Sequence, residues 1–183
     1  MKIKMIVAVD AEYGIGKDGK LPWHIPQEFK YFSDYTKSNM CIMGRKTYED
    51  IKGFKKVSDG EFLPKRSSLV ITSEIKRLRV ANTYDSIVFT DDVMQLINML
   101  EMAKKNTKNN VPDICIIGGK SIYELFMKQE NLVDEVSVTY INDTFKCDTF
   151  IDLNNLLKGF TPTRTIKMEN EPWEVVIYQK GKS

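Results

Sequence analysis

The sequence is poorest in histidine: among 183 residues only His24 carries an imidazole. Any histidine-based nucleophilic triad would depend on that residue, and no serine or cysteine motif adjoins it. Cysteine is nearly as scarce. Cys41, Cys115 and Cys147 are odd in number and widely spaced, so neither a disulfide framework nor a zinc pattern is indicated, and no metal site is expected. They read as small core residues of a chain kept in a reducing, cytoplasmic setting. An excess of one charge is missing too. Lysine and arginine total 27 against 25 aspartate and glutamate, a formal net charge of +2, which argues against a dedicated nucleic-acid surface. No apolar run approaches the roughly 18 residues that a membrane span needs. The run Met5–Val9 is too short for a secretory leader, and no cleavage-like region follows it.

What is present is a globular composition, 42% hydrophobic and 28% charged. This length supports a substantial core. No repeat or composition break divides the chain, so a single domain over residues 1–183 is expected. Strand-like runs at Met5–Val9, Met40–Met43, Leu69–Thr72, Ile87–Thr90, Ile114–Ile117 and Val136–Ile141 alternate with helical patterns. The helices are expected from Pro26, through Gly44–Ile51, over Val93–Ala103 with Asp91 or Asp92 as cap, and over Lys120–Lys128. Lys104–Asn110 reads as a surface loop. Glu169–Pro172 reads as the turn between two closing strands, Thr165–Met168 and Trp173–Gln179. This order predicts an α/β fold: a largely parallel sheet with helices on both faces and an antiparallel C-terminal edge.

In such sheets ligands bind beyond the carboxyl ends of the strands. Two strand-to-helix junctions there are glycine-bearing, Gly44-Arg45-Lys46-Thr47 and Gly118-Gly119-Lys120-Ser121. Backbone N–H groups, cations and hydroxyls at a helix start suit phosphate oxygens. Glycine also serves simply to make tight turns, and either junction alone leaves both readings open. A full GxGxxG is absent, so an ordinary Rossmann dehydrogenase is not supported. Glu28 falls in the first turn of a helix whose Phe29, Phe32 and Tyr35 recur at spacing three. A carboxylate against apolar walls can grip a flat heterocycle by two hydrogen bonds, or it can merely complement the helix dipole. The loop from Gly14 to Lys20, leading to Leu21 and Trp23, reads as a lid or as plain surface. His24 reads as a solvated loop residue. Arg66 could pair with a ligand carboxylate or sit idle on the surface.

Taken in order, Ile6-Val7-Ala8-Val9-Asp10, Gly14-Ile15-Gly16, Leu21-Pro22-Trp23, Glu28-Phe29 with Phe32, Ile42-Met43-Gly44-Arg45-Lys46-Thr47, Leu63-Pro64-Lys65-Arg66, Ile117-Gly118-Gly119 with Tyr123, Thr139 and Asp148-Thr149 span nearly the whole chain. The set resembles the dihydrofolate reductase family. The resemblance implies a dihydrofolate-reductase-like three-layer fold, with a central eight-stranded sheet and four main helices. It implies reduction of 7,8-dihydrofolate to tetrahydrofolate with NADPH as cofactor, in support of one-carbon metabolism and thymidylate synthesis. Glu28 would bind the pterin amino group and ring nitrogen, with Thr139 bonded to its carboxylate. Ile6 and Ile117 would turn backbone carbonyls toward the pocket, and Val7 and Ala8 would line it. Phe29 and Phe32 would pack on the substrate rings, with Ile51 and Leu63 opposite. Arg66 would clamp the glutamate carboxylate. Leu21 and Trp23 would shape the lid.

For the cofactor the resemblance implies Ala8, Ile15 and Gly16, then Gly44, Arg45, Lys46 and Thr47. It adds Thr72 and Ser73, then Ile117, Gly118, Gly119, Ser121, Ile122 and Tyr123. Arg45 and Lys46 would take the adenosine 2′-phosphate, and the Gly118–Gly119 peptide would be cis. Ser73 and Ser121 stand where some relatives carry arginine. With a reference pKa of about 4.3, Glu28 is expected to be ionised at neutral pH, leaving water to protonate pterin N5. A monomer without nucleic-acid or membrane partners is the family default. Two other readings are a different pteridine or pyrimidine reductase of this fold and a non-catalytic nucleotide-binding module.

Overall fold

The strand β1 (Ile3–Val9) is buried at every position except Lys4 and Ala8, which are half-buried. A strand buried on both faces belongs inside a sheet covered by helices on each side. The computed structural model describes residues 1–54, 62–82, 84, 86–106, 111–167 and 171–181. Most of the segment between Lys52 and Glu61, residues 107–110 of the expected polar loop and part of the turn at 169–172 lie outside them.

After β1 the described elements run β2 (Gly14–Gly16), α1 (Pro26–Thr36), β3 (Met40–Gly44), α2 (Arg45–Phe54), β4 (Ser67–Ile71), α3 (Ile75–Ala81), β5 (Ile87–Thr90) and α4 (Val93–Asn106). Then follow β6 (Ile114–Gly118), α5 (Lys120–Met127), β7 (Glu135–Ile141), β8 (Thr149–Phe150), α6 (Leu153–Leu156), β9 (Phe160–Lys167) and β10 (Trp173–Lys180). The main sheet has eight strands in the order β5-β4-β3-β6-β1-β7-β10-β9. Every pairing from β5 across to β7 is parallel, and β10 lies antiparallel to both β7 and β9. The expected parallel sheet with an antiparallel C-terminal edge is therefore observed.

Alternation along the strands sorts the core into two layers. Ile3, Met5, Val7 and Val9 of β1 join Ile42, Ile114, Ile116, Val136 and Val138 under α4 and α5, which contribute Leu96, Ile97, Leu100, Ile122 and Phe126. Ile6, Cys41, Met43, Cys115 and Ile117 face the other way, toward Tyr48 and Ile51 of α2, Leu78 of α3, and Tyr31, Phe32 and Tyr35 of α1. A third cluster builds Trp23, Ile141, Trp173, Val175 and Ile177 around Ala8. No described helix is long and apolar enough to cross a membrane.

Some boundaries differ from expectation. Lys104 lies in the last turn of α4, because its ammonium donates to the carbonyls of Asn131 and Leu132 at 2.7 and 2.9 Å and pairs with Asp134. The cap of α4 is Asp92, whose Oδ1 accepts from the Gln95 N–H at 2.8 Å. β9 starts at Phe160, earlier than expected. It is an exposed edge strand, where Pro162 is tolerated. Gly14–Gly16 is a strand paired with β8 and not a free loop. Gly14 lies so close to Cys147 that any Cβ would overlap that side chain.

Candidate active site

Register brings the polar residues of β7 to one place. Ala8 pairs with Thr139 and Ile6 with Ser137, so their side chains share the face that α1 covers. Two hydroxyls tie that helix down. The Tyr31 hydroxyl is 2.8 Å from Ser137 Oγ, and the Tyr35 hydroxyl donates to Glu135 at 2.7 Å. Glu28, one turn before Tyr31, then meets the sheet beside Thr139 and is only 4% exposed.

The chain buries three carboxylates among its described residues, and they differ in how they are satisfied. Asp10 accepts from the N–H groups of Glu12, Gly14 and Phe145. Glu135 accepts from Tyr35. Glu28 has only the Thr139 hydroxyl to offset its burial, and burial wins, pushing its carboxyl up to about 7. This corrects the expectation of a mostly ionised acid. At neutral pH the unliganded carboxyl is a mixture of protonated and ionised forms. The Thr139 hydroxyl favours the ionised form but lies outside ordinary hydrogen-bond geometry with any partner.

Buried polar atoms without partners occur at Tyr48, Ser68 and Trp173 as well as at expected site residues. Trp23 Nε1, Arg66 Nε and Thr139 Oγ1 are buried without partners among the described residues. Arg66 is held against α1, its Nη2 donating to both the carbonyl and the hydroxyl of Ser33 at 2.7 Å. Phe32, Ile51 and Leu63 pack in the same layer. Phe29 stays half-buried beside exposed His24, with ring centroids 5.4 Å apart. Val7 is the exception among the expected pocket residues. Its side chain points into the layer under α4 and α5, so only its backbone is on the Glu28 side.

The two glycine junctions lie side by side, since β3 pairs with β6. A Cβ on Gly44 would come within 3.0 Å of Ile122, and one on Gly119 within 3.5 Å of Thr47 Oγ1. The Gly118–Gly119 peptide is cis, as expected. Gly118 has a φ of +113°, and a Cβ there would strike the Tyr123 hydroxyl. That hydroxyl donates to the Ile6 carbonyl at 2.8 Å, linking this turn to β1. Gly119 is the N-cap of α5 and supplies no side chain to cap it. Uncapped N–H groups at an open, glycine-walled helix start fit a phosphate-bearing cofactor. Arg45, Lys46 and Thr47 begin α2, with Lys46 and Ser121 exposed. Thr72 is buried and accepts from the Glu74 N–H at 3.0 Å, while Ser73 is exposed.

The lid segment is pinned. Lys17 and Lys20 bridge through paired backbone bonds of 2.9 Å, and Asp148 accepts from the Asp18 N–H at 2.7 Å. Ile15 packs against the core. Leu21 is exposed, its N–H reaching Asp50 at 3.3 Å, whereas Trp23 is buried edge-on to Phe145. Two cavities, of about 520 and 300 Å³, open elsewhere, and neither is lined by Glu28 or Thr139. The buried Glu28 carboxyl marks the site better than cavity size does. Tyr31 and Ser137 were missed in the sequence, although serine and threonine at alternate positions of an apolar strand are a signal that a polar layer faces them.

Comparison with known proteins agrees with this geometry. A family model described as dihydrofolate reductase matches residues 2–179. The chain is 36% identical over 160 residues to the dihydrofolate reductase of Aedes albopictus, covering 81% of this chain and 78% of the relative. It is 30% identical over 180 residues to that of Staphylococcus haemolyticus, covering 97% and 94%. A solved dihydrofolate reductase from Enterococcus faecalis, complexed with NADP(H) and RAB-propyl, superposes with a TM-score of 0.72 at 24% identity, covering 99% of this chain and 97% of that one. The chain belongs to the dihydrofolate reductase family.

Proposed function

We propose that this chain reduces 7,8-dihydrofolate to tetrahydrofolate with NADPH and that Glu28 holds the pterin ring. The observation that carries this reading is Glu28 itself: buried, with only the Thr139 hydroxyl beside it to offset that burial among the described residues. Buried polar groups without partners suit a ligand that supplies them.

Bound NADPH supplies the hydride that reduces pterin C6. The chain contributes position and proton control. N–H donors from a pterin favour the ionised Glu28, so binding pulls its proton affinity down from the unliganded value. An ionised carboxylate on the ring raises the basicity of N5. With His24 exposed to solvent, the proton reaches N5 from water, admitted and then excluded by the segment around Leu21 and Trp23. Ile6 and Ile117 offer backbone carbonyls. Ala8, Phe29, Phe32, Ile51 and Leu63 wall the rings. Arg66 presents its fork to the glutamate carboxylate. Gly44 to Thr47 and Gly118 to Tyr123 cradle the cofactor phosphates, with Arg45 and Lys46 on the 2′-phosphate and Thr72 and Ser73 beside it.

The setting proposed is a cytoplasmic monomer with no nucleic-acid or membrane partner. Three free thiols support the reducing compartment and a net charge of +2 argues against a nucleic-acid surface, while the monomer is the family default. The test is an assay of nicotinamide absorbance with NADPH, with and without dihydrofolate. Folate-dependent loss is expected, and its absence overturns the reading. Loss with a pterin lacking the glutamate tail but not with dihydrofolate would favour a different pteridine reductase.

A further inference from the structure

The first turn of α2 meets α3 in a closed ring of four charges. Arg45 reaches Glu49 through Nη1 at 2.7 Å and Glu74 through Nε at 2.9 Å. Arg77 reaches the same two carboxylates, Glu49 through Nη2 at 2.8 Å and Glu74 through Nε. Sharing both carboxylates holds the two guanidiniums together. In these contacts Arg45 uses Nη1 and Nε, and Arg77 uses Nη2 and Nε. One terminal nitrogen on each, Nη2 of Arg45 and Nη1 of Arg77, takes no part. Arg77 is more than half exposed, so nothing buries it away from a ligand.

We infer that Arg77 is a specificity-determining residue for the 2′-phosphorylated adenine nucleotide, acting with Arg45 across this ring. The inference rests on the proposed placement of the 2′-phosphate at Arg45 and Lys46. Ser73, directly after buried Thr72, is an exposed short hydroxyl that cannot supply a cation. Arg77, four residues on, supplies one to the same edge through its position on α3. Glu49 and Glu74 neutralise the two arginines but also fix their planes. A dianionic phosphate would then meet two guanidiniums tethered by shared carboxylates, with the exposed Lys46 on the same turn as Arg45. A nucleotide without that phosphate makes neither contact.

The test is direct titration of NADP+ and NAD+ into the purified protein, followed by tryptophan fluorescence. Arg77→Gln is expected to weaken NADP+ about tenfold, the effect of losing a charge-assisted hydrogen bond. It should move NAD+ less than twofold. An equal change for both nucleotides, or none, overturns the role of Arg77. Arg45→Gln is run beside it. If Arg45→Gln discriminates and Arg77→Gln does not, the phosphate lies where proposed and only Arg77 is misassigned. If neither discriminates, the placement of the phosphate at this turn fails, and the role of Arg77 falls with it. Should Arg77→Gln fail to fold, Arg77→Lys keeps the charge but loses the fork. A smaller loss confined to NADP+ is then expected, and an equal loss for both nucleotides overturns the role.

Discussion

The Tyr31 hydroxyl lies 2.8 Å from Ser137 Oγ, joining the middle of α1 to the face of β7 that carries Thr139. Ser137 is completely buried, so this bond sets where the helix sits over the sheet. Because Glu28 precedes Tyr31 by one turn on the same face, the bond also sets where the carboxylate sits. Tyr31→Phe is expected to destabilise the fold by about 1 kcal/mol and to raise the KM for dihydrofolate more than that for NADPH. Urea titration and steady-state kinetics check this. Equal changes in both KM values would remove the positioning role.

Glu28→Gln is expected to slow turnover at neutral pH by about 100-fold, the low end of an acid–base contribution. A substrate already protonated at N5 should lose much less. Pre-steady-state hydride transfer across a pH series checks both expectations.

The same substitution has the opposite sign for stability. The Glu28 carboxyl titrates at about 7 in the folded chain against 4.5 for an ordinary glutamate. Between those values the folded state holds more protons than the unfolded one, so stability falls as pH rises through that window. Above it the ligand-free protein carries a penalty of up to about 3 kcal/mol. Glu28→Gln should therefore be more stable than the parent at pH 8 and nearly equal to it at pH 4. Urea midpoints without ligands decide the matter, and a gain that does not depend on pH would contradict the assignment.

Arg66→Gln should raise the KM for dihydrofolate while leaving a pterin without a carboxylate tail little changed. The contrast between the two substrates separates loss of a clamp from loss of the Ser33 contact, which would disturb both.

Gly14→Ala tests the seam between β2 and the segment at Cys147. Overlap with that side chain should destabilise by about 1–3 kcal/mol, and Cys147→Gly in the same chain should recover much of it. Thermal unfolding of the single and double variants is the measurement.

The sequence made the sheet legible wherever strands were buried on both faces, because runs such as Ile114–Ile117 have few other uses. It hid β9, whose edge position lets Pro162 and exposed polar residues stand in a strand. It also hid β2 and β8, which are held by contacts between residues more than 130 apart in the chain, such as Gly14 with Phe150. At the site, the family resemblance pointed to Glu28, Thr139 and Arg66, but not to the protonation of Glu28. That depends on how few groups the folded chain leaves beside the carboxylate. The pairing of Arg77 with Glu49 is not legible in the sequence, because the two lie on different helices and linear spacing says nothing about where those helices meet.

β10 is inserted between β7 and β9, so the strand bearing Ser137 and Thr139 gains its second neighbour only from residues 173–180. Until those residues emerge from the ribosome, β7 has a bare side, with N–H and C=O groups open to any passing strand. A ribosome-bound chain that already holds Glu28, Arg66 and both glycine turns thus has every group for chemistry but an unfinished wall behind the pterin. Completion of the active site is therefore set by the emergence of residues 173–180, and the interval before it is when this chain is most exposed to aggregation.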